Sequence, residues 1–175
     1  MRSTQDILTI LSNSFSPSVL AKTELSKSST IELLPATLNK VCFFLRDTDT
    51  LEYDNLILLT AVDEADGEKV TAEDGSISFN NGTISVYYQL ESLKYKHKVN
   101  LKVVLDRNNP KISTVSDVWA SANWHEREAF DLIGVTFENH PDLRRILMPY
   151  DWEAGHPLRK DYKDPEFYQG MKVPY

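Results

Sequence analysis

The residues whose types could do chemistry crowd into one run, Asn123-Trp124-His125-Glu126-Arg127-Glu128-Ala129-Phe130-Asp131-Leu132-Ile133-Gly134. Carboxylates and imidazoles this close could share a metal ion, with His140 joining them, or act as a general acid–base pair. Helical spacing argues against the metal. At roughly 100° per residue, His125, Glu126 and Glu128 leave a helix in three different directions. The His-Glu-x-x-His pattern, which sets two imidazoles on one helical face, is absent. His97 and His156 are dispersed, and all four histidines read as hydrogen-bonded structural or surface residues. There is no G-x-G-x-x-G, no P-loop and no G-x-S-x-G. The single cysteine, Cys42, excludes an intramolecular disulfide and a thiolate-held cluster or zinc site. It reads as a small core residue of a protein kept in a reducing compartment. A stand-alone enzyme using Glu126 and Glu128 stays open as a minor alternative.

The element carrying this run has two readings. As one helix from Val115 to Ile133, it sets Val115, Val118, Trp119, Ala122, Ala129, Phe130 and Ile133 on an apolar face with Glu126 near its middle. A carboxylate there needs an arginine or several backbone donors. Alternatively the helix breaks near Asn123, which caps a new start, and Glu126 satisfies N–H groups three residues on. The break is the favoured reading. Gly134 closes the helix either way. Trp124, Glu128 and Asp131 share the face opposite the apolar one, where a tryptophan is a candidate partner contact.

The rest of the chain must position this helix. Ser3 caps a first helix with Asp6 at its third position and Ile7, Leu8, Leu11 and Phe15 on one face. Val19 to Ser26 and Thr30 to Leu34 read as strands. Pro35 opens a second helix with a stripe of Leu38, Val41, Cys42 and Leu45. Leu56 to Val62, apolar on both faces, reads as a central strand. Asn81-Gly82 signals a turn, followed by alternating Ile84, Val86, Tyr88, Leu90 and then Val99, Leu101, Val103, Leu105. The order α-β-β-α-β-β-β-α predicts an α+β fold, a two-layer domain with one mixed or antiparallel sheet and flanking helices.

Six of the eight prolines fall between Pro110 and Pro174, and the composition changes after residue 134. We divide the chain into an α+β domain, 1–137, and an extended arm, 138–175. Pro141 to Leu147 reads as a short helix and the remainder as extended chain. The arm carries Leu143, Ile146, Leu147, Met148, Trp152, Leu158, Phe167, Tyr150, Tyr162, Tyr168 and Tyr175, too many apolar side chains for a solvated tail. It lies either over its own domain or on another protein, where such residues serve as anchors. From Pro141 to Lys163 its charges are nearly balanced, with Arg144, Arg145, Arg159, Lys160 and Lys163 against Asp142, Asp151, Glu153 and Asp161.

Whole-chain composition narrows the partners. The net charge of -7 argues against nucleic acid and against adsorption to anionic lipid. No apolar run approaches the roughly 20 residues of a membrane span, and the polar N-terminus, Met1 to Asp6, lacks a secretory or transit signal.

Glu126-Arg127-Glu128, Asp131-Leu132-Ile133, His140, Arg144, Ile146 and Leu147, with Trp124 ahead and Pro157-Leu158-Arg159-Lys160-Asp161-Tyr162 behind, carry a family resemblance. The stretch from about Val115 to Tyr162 resembles the 30-kDa-type, or C-type, subunits of proton-pumping NADH:quinone oxidoreductase, respiratory complex I. The resemblance implies an α+β domain with an extended C-terminal arm, and a non-catalytic structural and assembly role. It implies packing against the D-type subunit, which forms much of the quinone site, and proximity to iron–sulfur subunits. It implies no cofactor in this chain, while the complex uses NADH, FMN, iron–sulfur clusters and a quinone for electron and proton transport. The implied location is peripheral, on the cytoplasmic face of a bacterial inner membrane. Interface residues carried over by the signature are Trp124, Glu126, Arg127, Glu128, Asp131, His140, Arg144, Arg145, Arg159, Lys160 and Asp161. Many relatives continue well past the region matching Tyr162, whereas this sequence ends at Tyr175. The equivalent subunit of a membrane-bound hydrogenase or other quinone reductase is the alternative.

Overall fold

A computed structural model describes residues 2–25, 28–73 and 75–173. Ser26, at the expected end of the first strand, and Tyr175 of the arm lie outside them. Helix α1, Thr4–Phe15, begins with the expected capping box: the Ser3 hydroxyl accepts the Asp6 N–H, and the Asp6 carboxylate accepts the Ser3 N–H at 2.8 Å. Strands β1, Val19–Leu25, and β2, Ser28–Leu33, form a hairpin. Pro35 starts a single 3-10 turn, Pro35–Thr37, which leads into α2, Leu38–Asp47. The predicted stripe Leu38, Val41, Cys42 and Leu45 is buried.

Three long strands follow, β3, Asn55–Asp63, then β6, Thr83–Glu91, and β7, Lys98–Asp106; the short hairpin β4, Glu68–Thr71, and β5, Ile77–Asn80, lies between the first two. The main sheet runs β1-β2-β7-β6-β3, with β2 parallel to β7 and the other neighbours antiparallel. This is the mixed sheet of the expected α+β class. Alternation makes one face apolar in register. Ile31, Leu101, Tyr88 and Leu59 form one row across four strands, and Leu33, Val103, Val86 and Ala61 form the next. All eight are buried in one core with Ile7 and Leu11 of α1 and the α2 stripe. Each large aliphatic side chain so covered contributes about 1.5–3 kcal/mol. The opposite face is polar and only partly covered, as in the row Glu32, Lys102, Tyr87 and Thr60.

The strand read as central is at the sheet's end. Ile57, Leu58 and Val62 of β3 remain exposed, and the apolar surroundings of this strand come instead from a helix packed on it. That helix is α3, Ala122–Ile133, between the short parallel strands β8, Lys111–Ser113, and β9, Thr136–Glu138. Two-residue strands β10, Phe167–Tyr168, and β11, Met171–Lys172, close the described chain. Asn81 and Gly82 both have positive φ, as their turn signal requires. They mark a corner rather than a hairpin, because β5 pairs with β4 while β6 pairs with β3 and β7. Among the described residues no helix is long and apolar enough to cross a membrane.

Candidate functional site

The chain between β8 and α3 does not form one helix with α3. Val118 and Trp119 both donate to the Val115 carbonyl in a tight turn, and regular helix starts at Ala122. The break falls at Ser121 rather than Asn123, and Ser121 makes no side-chain cap. Glu126 does not serve its own helix's N–H groups either. Its fully buried carboxylate accepts the Thr114 hydroxyl at 2.5 Å and the Val115 N–H at 2.7 Å. The expected buried carboxylate with a backbone donor is present, but it ties α3 back to the end of β8. Burial pushes the Glu126 carboxyl up to about 7, against the opposing pull of those two donors. His140 stands beside it, Nε2 being 3.9 Å from Oε2. Its Nε2 meets the Asn123 carbonyl at 3.2 Å and its Nδ1 accepts the Asp142 N–H at 3.0 Å, so both ring nitrogens have structural partners.

Next to Glu126, Arg127 and, one turn beyond it, Asp131 grip the segment after His140 from its two backbone polarities. Arg127 is almost buried, with its guanidinium 5.1 Å from the centre of the Trp124 ring. It donates from Nε to the Arg144 carbonyl at 3.3 Å and from Nη2 to the Arg145 carbonyl at 3.4 Å. Asp131 shares the side of α3 that carries Trp124 and Glu128, as its spacing requires, but unlike them it is buried. Its Oδ2 accepts the N–H groups of Ile146, Leu147 and Met148 at 3.0, 2.8 and 2.8 Å. Its Oδ1 pairs with Arg145 at 2.7 Å. Burial alone would raise the Asp131 carboxyl, but the Met148 N–H, Arg145, and the other two N–H groups outweigh it and hold it below the usual carboxylate range. This corrects the helix expected over Pro141 to Leu147. Three consecutive N–H groups converge on one carboxylate, so they make no i→i−4 bonds.

The same segment then caps the end of α3. The last carbonyls of a helix lack intrahelical partners. Here the Asp131 carbonyl meets Arg145 Nη1 and His156 Nδ1, the Leu132 carbonyl accepts the Leu158 N–H, and the Ile133 carbonyl accepts Arg159 Nε at 2.7 Å. Gly134 turns left-handed at φ 85°, and a Cβ there would come within 2.6 Å of the His156 ring. Farther on, buried Arg107 holds Asp63 through Nε and Nη2 and reaches Asp161 at 2.7 Å, while the Lys160 N–H donates to Asp63. Residues 144–161 are therefore laid along α3 and the end of β3. Of the signature residues, Glu126, Arg127, Asp131, His140, Arg145, Arg159 and Asp161 make these internal contacts. Trp124, Glu128, Arg144 and Lys160 are exposed. Thr114, Asp63 and Arg107 belong to the network although nothing in their local spacing marks them in the sequence.

The space left at this site is small. A cavity of about 20 Å3 lies between β3 and α3, lined by Leu59, Ala61, His125, Glu128, Leu132 and Leu158 among others. That volume takes about one water and no substrate. Among the described residues no three His, Cys, Asp or Glu side chains are grouped to hold a metal ion. What the arrangement does is hold an irregular segment in one conformation, with Leu147, Tyr150, Leu158, Phe167 and Met171 turned outward.

Residues 31–168 match the family described as respiratory-chain NADH dehydrogenase, 30 Kd subunit. The chain belongs to this family. It is 43% identical over 136 residues to the C-type subunit of NADH-quinone oxidoreductase from Chloroherpeton thalassium, an overlap of 77% of this chain and 50% of that one. It is 39% identical over 164 residues to the same subunit of Geobacter sulfurreducens, covering 91% of this chain and 92% of that one. The chain thus spans about half the length of the first relative and nearly all of the second. In fold it is similar to the trypsin-resistant fragment of Nqo5, with a TM-score of 0.58 at 22% identity over 78% of this chain and 98% of the fragment. It is also similar to a chain of the membrane-bound sulfane sulfur reductase, an archaeal respiratory membrane complex, with a TM-score of 0.55 at 17% identity over 91% of this chain and 85% of that one.

Proposed function

We propose that this family member is a non-catalytic structural and assembly subunit of an NADH:quinone oxidoreductase. In this reading it supports the quinone-site subunit of a complex that couples NADH oxidation and quinone reduction to proton translocation. The carrying observation is that Arg127 and Asp131, two of the signature residues, are turned inward onto the backbone of residues 144–148, while that segment and the following one present apolar side chains outward. Tyr150 is 96% exposed, and Leu147, Leu158, Phe167 and Met171 are more than half exposed. A rigid irregular segment with outward aromatic and aliphatic groups suits a protein interface, because little conformational entropy remains to be lost on docking. In this reading the partners are the D-type, quinone-site subunit and neighbouring iron–sulfur subunits. NADH, FMN, clusters and quinone are held elsewhere in the complex, and contact with the cytoplasmic face of the inner membrane is made through it.

Purification of the tagged chain from membranes tests this, with partner identification by mass spectrometry and metal and flavin analysis of the isolated chain. The expected result is co-purification with a quinone-site subunit and iron–sulfur subunits, and no stoichiometric metal or flavin in the chain alone. Bound metal, bound flavin or turnover by the isolated chain overturns it. A second reading, the equivalent subunit of a membrane-bound hydrogenase or other quinone reductase, is supported by the fold likeness to the sulfane sulfur reductase chain. Co-purified nickel–hydrogenase subunits in place of flavin-NADH subunits would favour it.

A further inference from the structure

Beyond the clamp lies a second feature that the packing of this chain does not use. A cavity of about 420 Å3 opens between residues 151–154 and 165–169, lined by Asp151, Trp152, Glu153, Pro165, Phe167 and Tyr168 among others. Its walls are held in place. Asp151 accepts the Tyr168 hydroxyl on one carboxylate oxygen and the Gln169 side-chain amide on the other, both at 2.8 Å. The β10–β11 hairpin keeps Phe167 and Tyr168 opposite the 151–154 turn, with Gln169 and Gly170 at positive φ forming its tip. The Trp152 and Tyr168 rings meet at 5.3 Å with a 50° tilt, making an aromatic corner. Phe167, more than half exposed, adds a third ring at the mouth. Glu153 is exposed beside them and, among the described residues, makes no hydrogen bond or ion pair. No lysine or arginine lines the cavity, and Lys172 lines the neighbouring one instead.

We propose that this corner is a receptor for the guanidinium of an arginine side chain projecting from a neighbouring subunit. The proposal rests on the reading that the chain works inside a complex, and adds the chemistry of one contact. Aromatic faces attract cations through their negative π surface. Three rings would serve any cation, and the exposed Glu153 carboxylate beside them favours one that has N–H donors to offer. A quaternary ammonium has none. Lysine offers a compact, strongly hydrated charge that stacks poorly, whereas a planar guanidinium lies flat on an indole or phenol and forks its edge onto a carboxylate. Rings, carboxylate and absence of an internal cation therefore select arginine.

The test has two arms. In the first, the purified chain is titrated with N-acetyl-arginine methylamide, the neutral citrulline analogue and choline, following the Trp152 indole N–H resonance assigned by its loss in Trp152→Phe. A saturable millimolar shift is expected with the arginine amide alone, weakened about fivefold or more in Glu153→Gln. No shift, or equal shifts with citrulline or choline, overturns the proposal. In the second, Glu153→Arg is introduced into the full complex. Association is expected to weaken about tenfold or more while the melting temperature of the isolated chain stays unchanged. Unaltered association overturns the arginine contact and leaves the assembly role standing. A wild-type chain that captures no partner removes the assembly role, and the titration still decides for or against the guanidinium site.

Discussion

Glu126 and Asp131, five residues apart on the same helix, show how two buried carboxylates acquire opposite properties. Glu126 has two donors and is pushed up to about 7 by burial; Asp131 has three backbone N–H groups and an arginine and is held low. Their pH signatures have opposite sign. The folded state holds the Glu126 proton more tightly than the unfolded chain does, so its contribution is greatest below the ordinary carboxylate range and is lost as pH rises from there to about 7. Fully ionised, it costs on the order of 3 kcal/mol. Glu126→Gln should therefore gain stability relative to wild type between pH 5 and pH 8 in urea melts; a gap unchanged by pH contradicts this. Glu126→Ala, which leaves the buried Val115 N–H without its acceptor and Thr114 with Ser116 alone, should lose about 1–3 kcal/mol and lower the amount of assembled complex. A variant that assembles normally but abolishes electron transfer would point to chemistry instead. Asp131 contributes stability above the ordinary carboxylate range and loses it as pH falls through its depressed value. Asp131→Asn should lose about 3 kcal/mol and speed hydrogen exchange at Ile146, Leu147 and Met148. Unchanged exchange there would show that Asp131 does not hold the segment.

At the scale of elements, the positions where sequence and structure disagree have a common physical cause. Helices α1 and α2 and the strands β6 and β7 are written in local periodicity, and the α1 cap and the apolar stripes agree with the structure. The Leu147 region has helical composition, but its backbone partners are side chains seventeen or so residues away in sequence. No local window contains that information. The same is true of β3, which ends the sheet: α3 covers its Leu59 and Ala61 side, while Ile57, Leu58 and Val62 stay exposed. A helical wheel gives the direction of Asp131 correctly but carries no information about the later segment, residues 146–148, that covers that face. Gly134 reads as a helix stop, yet it also leaves room for His156. Gly134→Ala should lose about 1–2 kcal/mol from the left-handed backbone alone. It should also displace His156 and make the 149–156 stretch more open to proteolysis while α3 stays helical by circular dichroism. Unchanged protease sensitivity would show that the close approach is not what holds that stretch.

For the whole molecule, the question is where residues 138–175 belong thermodynamically. The Arg107–Asp63–Asp161 group and the caps on α3 join residues 144–161 to the body through buried, charge-assisted bonds. A chain ending just before Pro141 should therefore melt lower, by about 5 °C or more, since each kcal/mol lost shifts a chain of this size by roughly 2–4 °C. A chain ending after Tyr162 should melt close to the full chain but lack the aromatic cavity. Thermal melts beside a partner pull-down separate the two roles. If the shorter chain melts like wild type, residues 141–162 add nothing to the body's stability. If it melts lower and the Tyr162 truncation alone fails to capture a partner, stability and docking lie in successive parts of the arm. The clamp also has a consequence for transplantation. The shape of residues 144–148 is stored in two side chains of α3, so that stretch is not a portable module. Grafted onto a relative that has other residues at the positions of Arg127 and Asp131, it would arrive without instructions for its own backbone. Moved together with α3, it would keep its form, and the transferable unit runs from Ala122 through Arg159.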